Sequence, residues 1–522
     1  MRKLDLIGVL FTVFFTVRAE SINRQNPGSV AVIGGGIAGL KAASMLHAAG
    51  YNVTLLEASD RIGGRTHTIW FGNESYTELG AEWVHGERNN SIFQLMNPLG
   101  VLQPRGQLRE FGTDYGLPSG VWLQSNLTSN MREYLNYTWF DPEDWREEVH
   151  INVSQGVWAR YVLERFNRTY HITDDPEMFE AIYDWAHRTS NAEESATSWF
   201  DVSGNDWGDR YIWLYGEPDV RWKPPYSYHT LAQFILSGSI SEDGNFTLPD
   251  YIKLNQKVES IQYSTNGQTV NVSTQDETYS VDHVIFTGSL GVLKANHATL
   301  FTPPLSTRKQ LAINNIGFGS VIKIAIEFAE PWWTPTFEGL FPVWNDIDYS
   351  NETLHYWRLD LTDAELATEY DGIPLWVRAI LTLFNVDSGS APNVLRAWVA
   401  GNPARFLDRQ NSSYIQTHVV NAMRQFLSSQ FPNITEPINL YKSNWGEDSN
   451  FGGTYSYRRV ESDAENVWAA DLGTPILNLA TNKPLVCFAG EATHPHYYST
   501  VHGAYDSAVR EVDRIVAWGK MD

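Results

Sequence analysis

The chain has 522 residues, which at roughly 150 residues per domain allows about two to four domains and a sizeable core. Hydrophobic residues make up 43% and aromatics 13%, with 20 Trp, a composition that excludes disorder as the dominant state. Against 38 Lys+Arg stand 61 Asp+Glu, a formal charge of −23, which opposes nucleic-acid binding and suits either solubility or the attraction of cations.

The first 19 residues read as a secretory signal: Arg2 and Lys3, an apolar stretch from Leu6 to Val17, and Val17-Arg18-Ala19 at the cleavage position, so the mature chain is expected to begin near Glu20. The apolar run is shorter than the ~20 residues that span a bilayer, and no later stretch is long and apolar enough. Asn-x-Ser/Thr sequons at Asn52, Asn73, Asn89, Asn126, Asn136, Asn152, Asn167, Asn245, Asn271, Asn351, Asn411 and Asn433 agree with a secreted glycoprotein. Asn52 opens an apolar strand and is expected to stay unmodified. The only cysteine, Cys487, lies in the apolar run Leu485–Ala489 and reads as core filler.

Ser29-Val30-Ala31-Val32-Ile33 predicts a buried strand, Gly34-Gly35-Gly36-Ile37-Ala38-Gly39 a turn, and residues 40–49 a helix stopped by Gly50. Residues 51–56 predict a second strand, ended by Glu57. The middle of the chain, about 101–250, reads as mixed helix and loop. Strands are expected again over 251–262, 281–287, 321–328 and 485–489, before a helix from about 503 to 518. This order suits an α/β protein whose Rossmann-type nucleotide-binding domain is assembled from separated segments, with an α+β substrate domain inserted between them. The expected boundaries are 28–100, 250–310 and 470–522 for the first, and 101–249 and 311–469 for the second.

In the first turn Gly34 permits the tight bend, Gly36 lets backbone approach a pyrophosphate, and Gly39 lets helix and sheet pack closely. Glu57 lies 18 residues beyond Gly39, near the ~20 expected of a carboxylate that accepts ribose hydroxyls. This unit alone does not separate NAD from FAD. The next segment, Arg61-Ile62-Gly63-Gly64-Arg65, offers a second close backbone approach and a guanidinium for the pyrophosphate.

With that segment the sequence resembles the flavin-containing amine oxidases. The likeness continues through Leu79-Gly80-Ala81-Glu82-Trp83-Val84-His85-Gly86, Lys257–Ile261, Val284–Lys294, Ile322–Phe328, Phe488–His494 and Tyr497–Ala504. Gly-Ala-x-Trp-Val-His-Gly and Tyr-Tyr-Ser-Thr-x-His-Gly-Ala look most like the animal spermine and acetylpolyamine oxidase branch. The resemblance implies the amine oxidase fold and FAD, with cofactor contacts from Gly34, Gly36, Ile37, Ala38, Gly39, Glu57, Arg65, Gly80, Ala81, Glu82, Trp83, Val258, Trp445, Gly490, Glu491, Thr500 and Val501. Thr454 stands where covalently flavinylated relatives carry the linking cysteine, which implies noncovalent FAD. The start of the last helix is expected to face the flavin pyrimidine, where amide N–H groups favour negative charge.

By periodicity alone Lys323 reads as a solvated strand face paired with Glu327. The resemblance instead makes it the catalytic lysine that holds a water beside the flavin and assists reoxidation by oxygen, with burial lowering its pKa. His85 is either a catalytic group at the substrate amine or a hydrogen-bonded loop histidine. Glu82 departs from the Thr or Asn of relatives and either binds a cationic amine or points outward. Trp83, Tyr455 and Thr500 complete the implied substrate wall, with Tyr455 offering cation–π attraction. Residues 217–234 depart from the Gly-Gly segment usual in relatives, so the channel contour is this chain's own. His494 and His496 without further ligands do not suggest a metal. The expected partners are a small cationic amine and molecular oxygen, with no nucleic acid and no membrane span. The implied activity is secreted polyamine oxidation with release of hydrogen peroxide. Its alternatives are another amine or L-amino acid oxidase, for which no arginine fork is visible, and a secreted flavin-binding protein without turnover.

Overall fold

The computed structural model describes residues 27–71, 75–103, 114–145, 153–206, 219–240, 246–385 and 391–521. The expected signal segment and the sequon positions Asn73, Asn152 and Asn245 lie outside the described residues.

Ser29–Ile33 is a strand because four consecutive buried apolar side chains leave neither face for water. It pairs in parallel with Asn52–Leu56 on one side and His283–Phe286 on the other. The full sheet runs Ile476–Leu477, Pro484–Phe488, His283–Phe286, Ser29–Ile33, Asn52–Leu56, Ile252–Lys253. All of its pairings are parallel except that of the Ile476–Leu477 edge. Its strands thus come from three widely separated stretches of chain. Cys487 is buried within it.

The turn after the first strand is set by sterics. Gly34 has φ +103°, which L side chains rarely adopt. A Cβ on Gly39 would lie 1.8 Å from the Gly34 carbonyl oxygen, so only glycine lets the helix start so close to the strand. That helix, Ile37–Ala48, begins three residues before the expected position, with Gly36 at its N-cap in extended conformation and no side chain capping it. It packs through Leu40, Ala43 and Leu46 in a core shared with Ala508, Val512 and Ile515 of the last helix. The last helix, Val501–Met521, also starts earlier than expected, because the Thr500 hydroxyl accepts the Gly503 N–H at 3.0 Å. The strand expected over 251–262 is two, Ile252–Lys253 and Val258–Gln262. Asn255 turns the chain at φ +57°, and the amides of Asn255 and Gln256 go to the carbonyls of Ser59 and Glu57.

A second sheet of six strands runs Asn439–Lys442, Val321–Glu327, Val394–Ala400, Ile380–Asn385, Gly339–Pro342, Asp114–Gly116. It is antiparallel except for its last pair. In Val321–Glu327 the alternate residues Ile322, Ile324 and Ile326 enter a core with the Gly401–Asp408 and Ser412–Leu427 helices. Alternation therefore turns Val321 and Lys323 to the opposite face. The middle of the chain supplies the helices Ser125–Trp145, Gln155–Tyr170, Pro176–Glu194 and Tyr228–Ser237. No helix among the described residues is long and apolar enough to cross a membrane.

Gly39→Ala forces its methyl group into the Gly34 carbonyl, a backbone clash that rotamer changes cannot relieve. Thermal unfolding of the variant should show a loss of about 2–3 kcal/mol, the upper range for overpacking. An unchanged melting curve would mean that the strand–helix spacing is softer than this geometry implies.

Candidate active site

A cavity of about 1330 Å³ is lined by both glycine-rich turns and by the inner face of the second sheet. At one end stand Gly34, Gly36, Ile37 and Ala38, with Glu57 and Arg65 beside them. Gly36 and Gly63 form a parallel bridge, and a Cβ built on Gly64 would lie 3.0 Å from the Gly36 Cα. The two turns thus meet through bare backbone. The uncapped N-terminus of the Ile37–Ala48 helix opens at this place, so its first N–H groups and dipole suit a pyrophosphate. Glu57 takes the Gly35 N–H on Oε2 and the Ser59 N–H at 2.7 Å on Oε1, which fixes its carboxylate at the cavity wall.

Arg65 donates to Glu491 at 2.9 Å and to the Thr454 carbonyl. Glu491 also accepts from the Ser456 hydroxyl at 2.6 Å and the Ser499 N–H at 2.8 Å, so this carboxylate ties three loops together. Gly80, Ala81, Val258, Trp445, Gly490 and Val501 line the same cavity. Trp445 is anchored by its indole N–H to the Leu79 carbonyl at 3.0 Å. Gly39 lies behind this wall, where close packing is its only role. A carboxylate, a helix N-terminus and a side-chain-free backbone cradle, in a cavity of this size, fit a dinucleotide.

Lys323 is buried, not solvated, and Glu327 bonds Asn439 and Tyr441 instead. Its Nζ donates to the Gly80 carbonyl at 2.7 Å and to Glu82 Oε2 at 3.1 Å, and lies 4.6 Å from the Trp398 ring centre and 5.2 Å from that of Trp83. Burial pulls its pKa down to about 8, against the opposing pull of Glu82. Glu82 neither points outward nor offers an unengaged anion to an amine. It is buried, and Arg396 grips both its oxygens, with Arg221 Nε 3.2 Å away. Burial alone favours its neutral form, but these three cations hold the carboxyl well below its ordinary range.

His85 lines the cavity with Nδ1 2.9 Å from Asp219, whose second oxygen accepts the Gly86 N–H at 2.8 Å. Burial would raise the Asp219 pKa, and His85 with that N–H outweighs it, so the carboxyl stays ionised. Hence the ring is both held in its loop and presented at the cavity. Tyr455 and Thr500 also line the space. The Tyr455 hydroxyl is fixed on the Ala192 carbonyl, and that of Thr500 on the Tyr497 carbonyl at 2.7 Å. Thr500 therefore shapes the wall while its oxygen caps the last helix.

Asp219, Arg396 and Trp398 were not picked out from the sequence. Arg396 had a signal, being the one charge in Val394–Ala400, otherwise apolar. Its strand register sets Trp398 directly opposite Lys323, and Arg396 two residues away on the same face.

The profile of the family described as "Flavin containing amine oxidoreductase" matches residues 37–128 and 123–516. Bovine peroxisomal N(1)-acetyl-spermine/spermidine oxidase is 30% identical over 521 residues, covering 93% of this chain and 94% of that protein. A probable polyamine oxidase 5 of Arabidopsis thaliana is 26% identical, covering 93% and 98%. Human lysine-specific histone demethylase 2 is also 26% identical, covering 94% of this chain but 53% of its own length. Fold and cradle define a dinucleotide-binding protein, and the family match makes that dinucleotide FAD. The chain belongs to the flavin-containing amine oxidase family, and it is an FAD-dependent amine oxidase with the amine oxidase fold.

Thr454 lines the cavity and carries no thiol, while the single cysteine lies inside the first sheet. No thioether to the flavin can form. Acid precipitation of the purified protein should therefore leave the yellow chromophore in the supernatant. Flavin retained in the pellet would contradict this reading.

Proposed function

We propose that this chain is a secreted polyamine oxidase that converts a cationic polyamine to an aldehyde and a shorter amine and releases hydrogen peroxide. The observation that carries the reading is one cavity in which a buried lysine, an aromatic wall and carboxylates share space with the dinucleotide cradle. Tyr115, Trp185, Phe341, Trp398 and Tyr455 supply the wall, and Glu193 and Asp219 line it too. Alkylammonium groups gain cation–π attraction at such faces and pairing at the carboxylates. Two relatives, an acetyl-spermine/spermidine oxidase and a probable polyamine oxidase, support the same substrate class.

Gly34, Gly36, Glu57 and Arg65 would hold FAD, which when bound would supply two-electron oxidation at the carbon beside the amine nitrogen, with oxygen as the final acceptor. The chain's own residues do the rest. Trp83 and Trp398 flank Lys323 and keep bulk water from its amine. His85, oriented by Asp219, stands where a substrate amine can exchange its proton. An amino acid substrate would need a guanidinium for its carboxylate; Arg221 and Arg396 are both turned to Glu82, which leaves Arg132, over the Tyr115 ring, as the cavity cation such a substrate would have to use.

Secretion rests on the signal-like first 19 residues and on sequons whose asparagines, including Asn89, Asn126, Asn271 and Asn433, are exposed.

Anaerobic titration with spermine should bleach the oxidised-flavin absorbance, and admitting air should restore it with formation of peroxide. Spermidine and the acetylated forms then rank the substrates. A band that no polyamine bleaches would defeat the proposal and leave another amine class or a binding role.

A further inference from the structure

Lys323 is the group on which reoxidation is proposed to depend, and two residues beside it, Glu82 at the cavity wall and the buried Arg396, carry charges that bear on its amine. We propose that Glu82 and Arg396 form a positioning pair, which fixes the Lys323 amine against the Gly80 carbonyl and sets its charge. This rests on the proposed role of Lys323 in flavin reoxidation.

The geometry is specific. Arg396 forms a bidentate fork onto Glu82, and the Glu82 oxygen that takes one arm of the fork also takes Lys323 Nζ. Arg396 and Lys323 are both buried, so neither charge is shared with solvent. A bidentate fork fixes the plane of the carboxylate, and so fixes where the third cation must sit.

The charged groups facing Lys323 come from every neighbouring element. Glu78 and Glu82 come from the segment that follows the Thr68–Phe71 hairpin strand, Arg396 from the adjacent strand, and Arg221, through Glu82, from the 219–222 stretch. On the other flank the Ser443 hydroxyl accepts the Lys323 backbone N–H, while Lys442 is turned away to the carbonyls of Leu407 and Asp408. Glu78 is mostly protonated at low pH because burial raises it to about 7, opposed by the Tyr228 N–H and the Thr68 hydroxyl. Near pH 8, where Lys323 titrates, Glu78 is ionised as well, so Glu82 is the stronger and Glu78 the weaker anion favouring the Lys323 ammonium, and Arg396 is the cation that opposes it. Arg221 keeps Glu82 paired when Arg396 is removed, which makes the two contributions separable.

The test compares Glu82→Gln, Arg396→Met and the double variant in the full-length flavoprotein. The pH dependence of Lys323 reductive methylation, read by peptide mass spectrometry, reports when the amine loses its proton without using turnover. Glu82→Gln should lower that midpoint by about one unit and Arg396→Met should raise it by about one unit, the scale for a charge at contact distance. The double variant, which leaves no unpaired member of the fork, should return toward the wild-type midpoint. The pH profile of flavin reoxidation should move with each midpoint. Midpoints that stay fixed, or that move the same way in both single variants, would overturn the proposal, because loss of a purely structural pair has no reason to act with opposite sign. Reoxidation that is unchanged in Lys323→Met would instead remove the assumed role of the lysine, with the labelling midpoints still deciding the coupling.

Discussion

A single buried carboxylate joins parts of the chain that lie hundreds of residues apart. Glu82 follows the first glycine-rich segments, Arg221 comes from the loop before the Tyr228–Ser237 helix, and Lys323 and Arg396 come from adjacent strands of the second sheet. Ionised groups are tolerated out of water only when paired in good geometry, and removing one partner from such a pair typically costs about 3–5 kcal/mol. The register of Val321–Glu327 against Val394–Ala400 is therefore constrained twice. Isoleucines bind one face to the helices, and a charge network fixes the other. A slip of one residue would send Lys323 and Arg396 into the isoleucine core.

The cradle was legible in the sequence because backbone geometry restricts residue type so severely there. Gly34 needs a positive φ, Gly39 lies where a methyl group would strike a carbonyl oxygen, and Gly64 has a positive φ and would press a Cβ to 3.0 Å from the Gly36 Cα. Those demands are local and are written in consecutive positions. The strands of the first sheet were legible for a similar reason, since a buried parallel strand is simply a short apolar run. Element ends were less so. Gly36 and Thr500 begin helices through cap geometry that depends on what the chain meets next, and Asn255 breaks a strand through amides that bond a neighbouring loop.

The site's electrostatics were not legible, for a physical reason. Whether Lys323 is solvated depends on which face of its strand is covered, and periodicity of two gives faces without saying what covers them. Glu82 posed the same difficulty in a sharper form. A carboxylate in a loop beside an aromatic residue admits both an outward and a ligand-binding reading until Arg396 is placed across from it. That placement follows from strand order, in which the Val394–Ala400 strand neighbours the lysine strand despite the 66 residues between them. Arg396 in an apolar strand was the visible anomaly, and its partner was not.

A cavity proposed to take cationic amines, yet lined by Arg65, Arg132, Arg221 and Lys323, needs its positive charge offset. The arrangement does this in two ways. Glu82 neutralises one charge of the cluster, and burial makes the ammonium form of Lys323 costly, so the lysine surrenders its proton more readily than a solvated one. The rings of Trp83 and Trp398 then lie against the Lys323 amine, with the Arg221 guanidinium also stacked over Trp83. Arg132, which also lines the cavity, lies over the Tyr115 ring, and Glu193 from the Pro176–Glu194 helix and Asp219 beside His85 are among the carboxylates that line the same space. Arg65, Arg221 and Lys323 are thereby each set against a carboxylate, Glu491 for the first and Glu82 for the other two. Such pairing would let a cationic substrate share the cavity with these buried cations, because the charges nearest the cradle are already balanced by carboxylates.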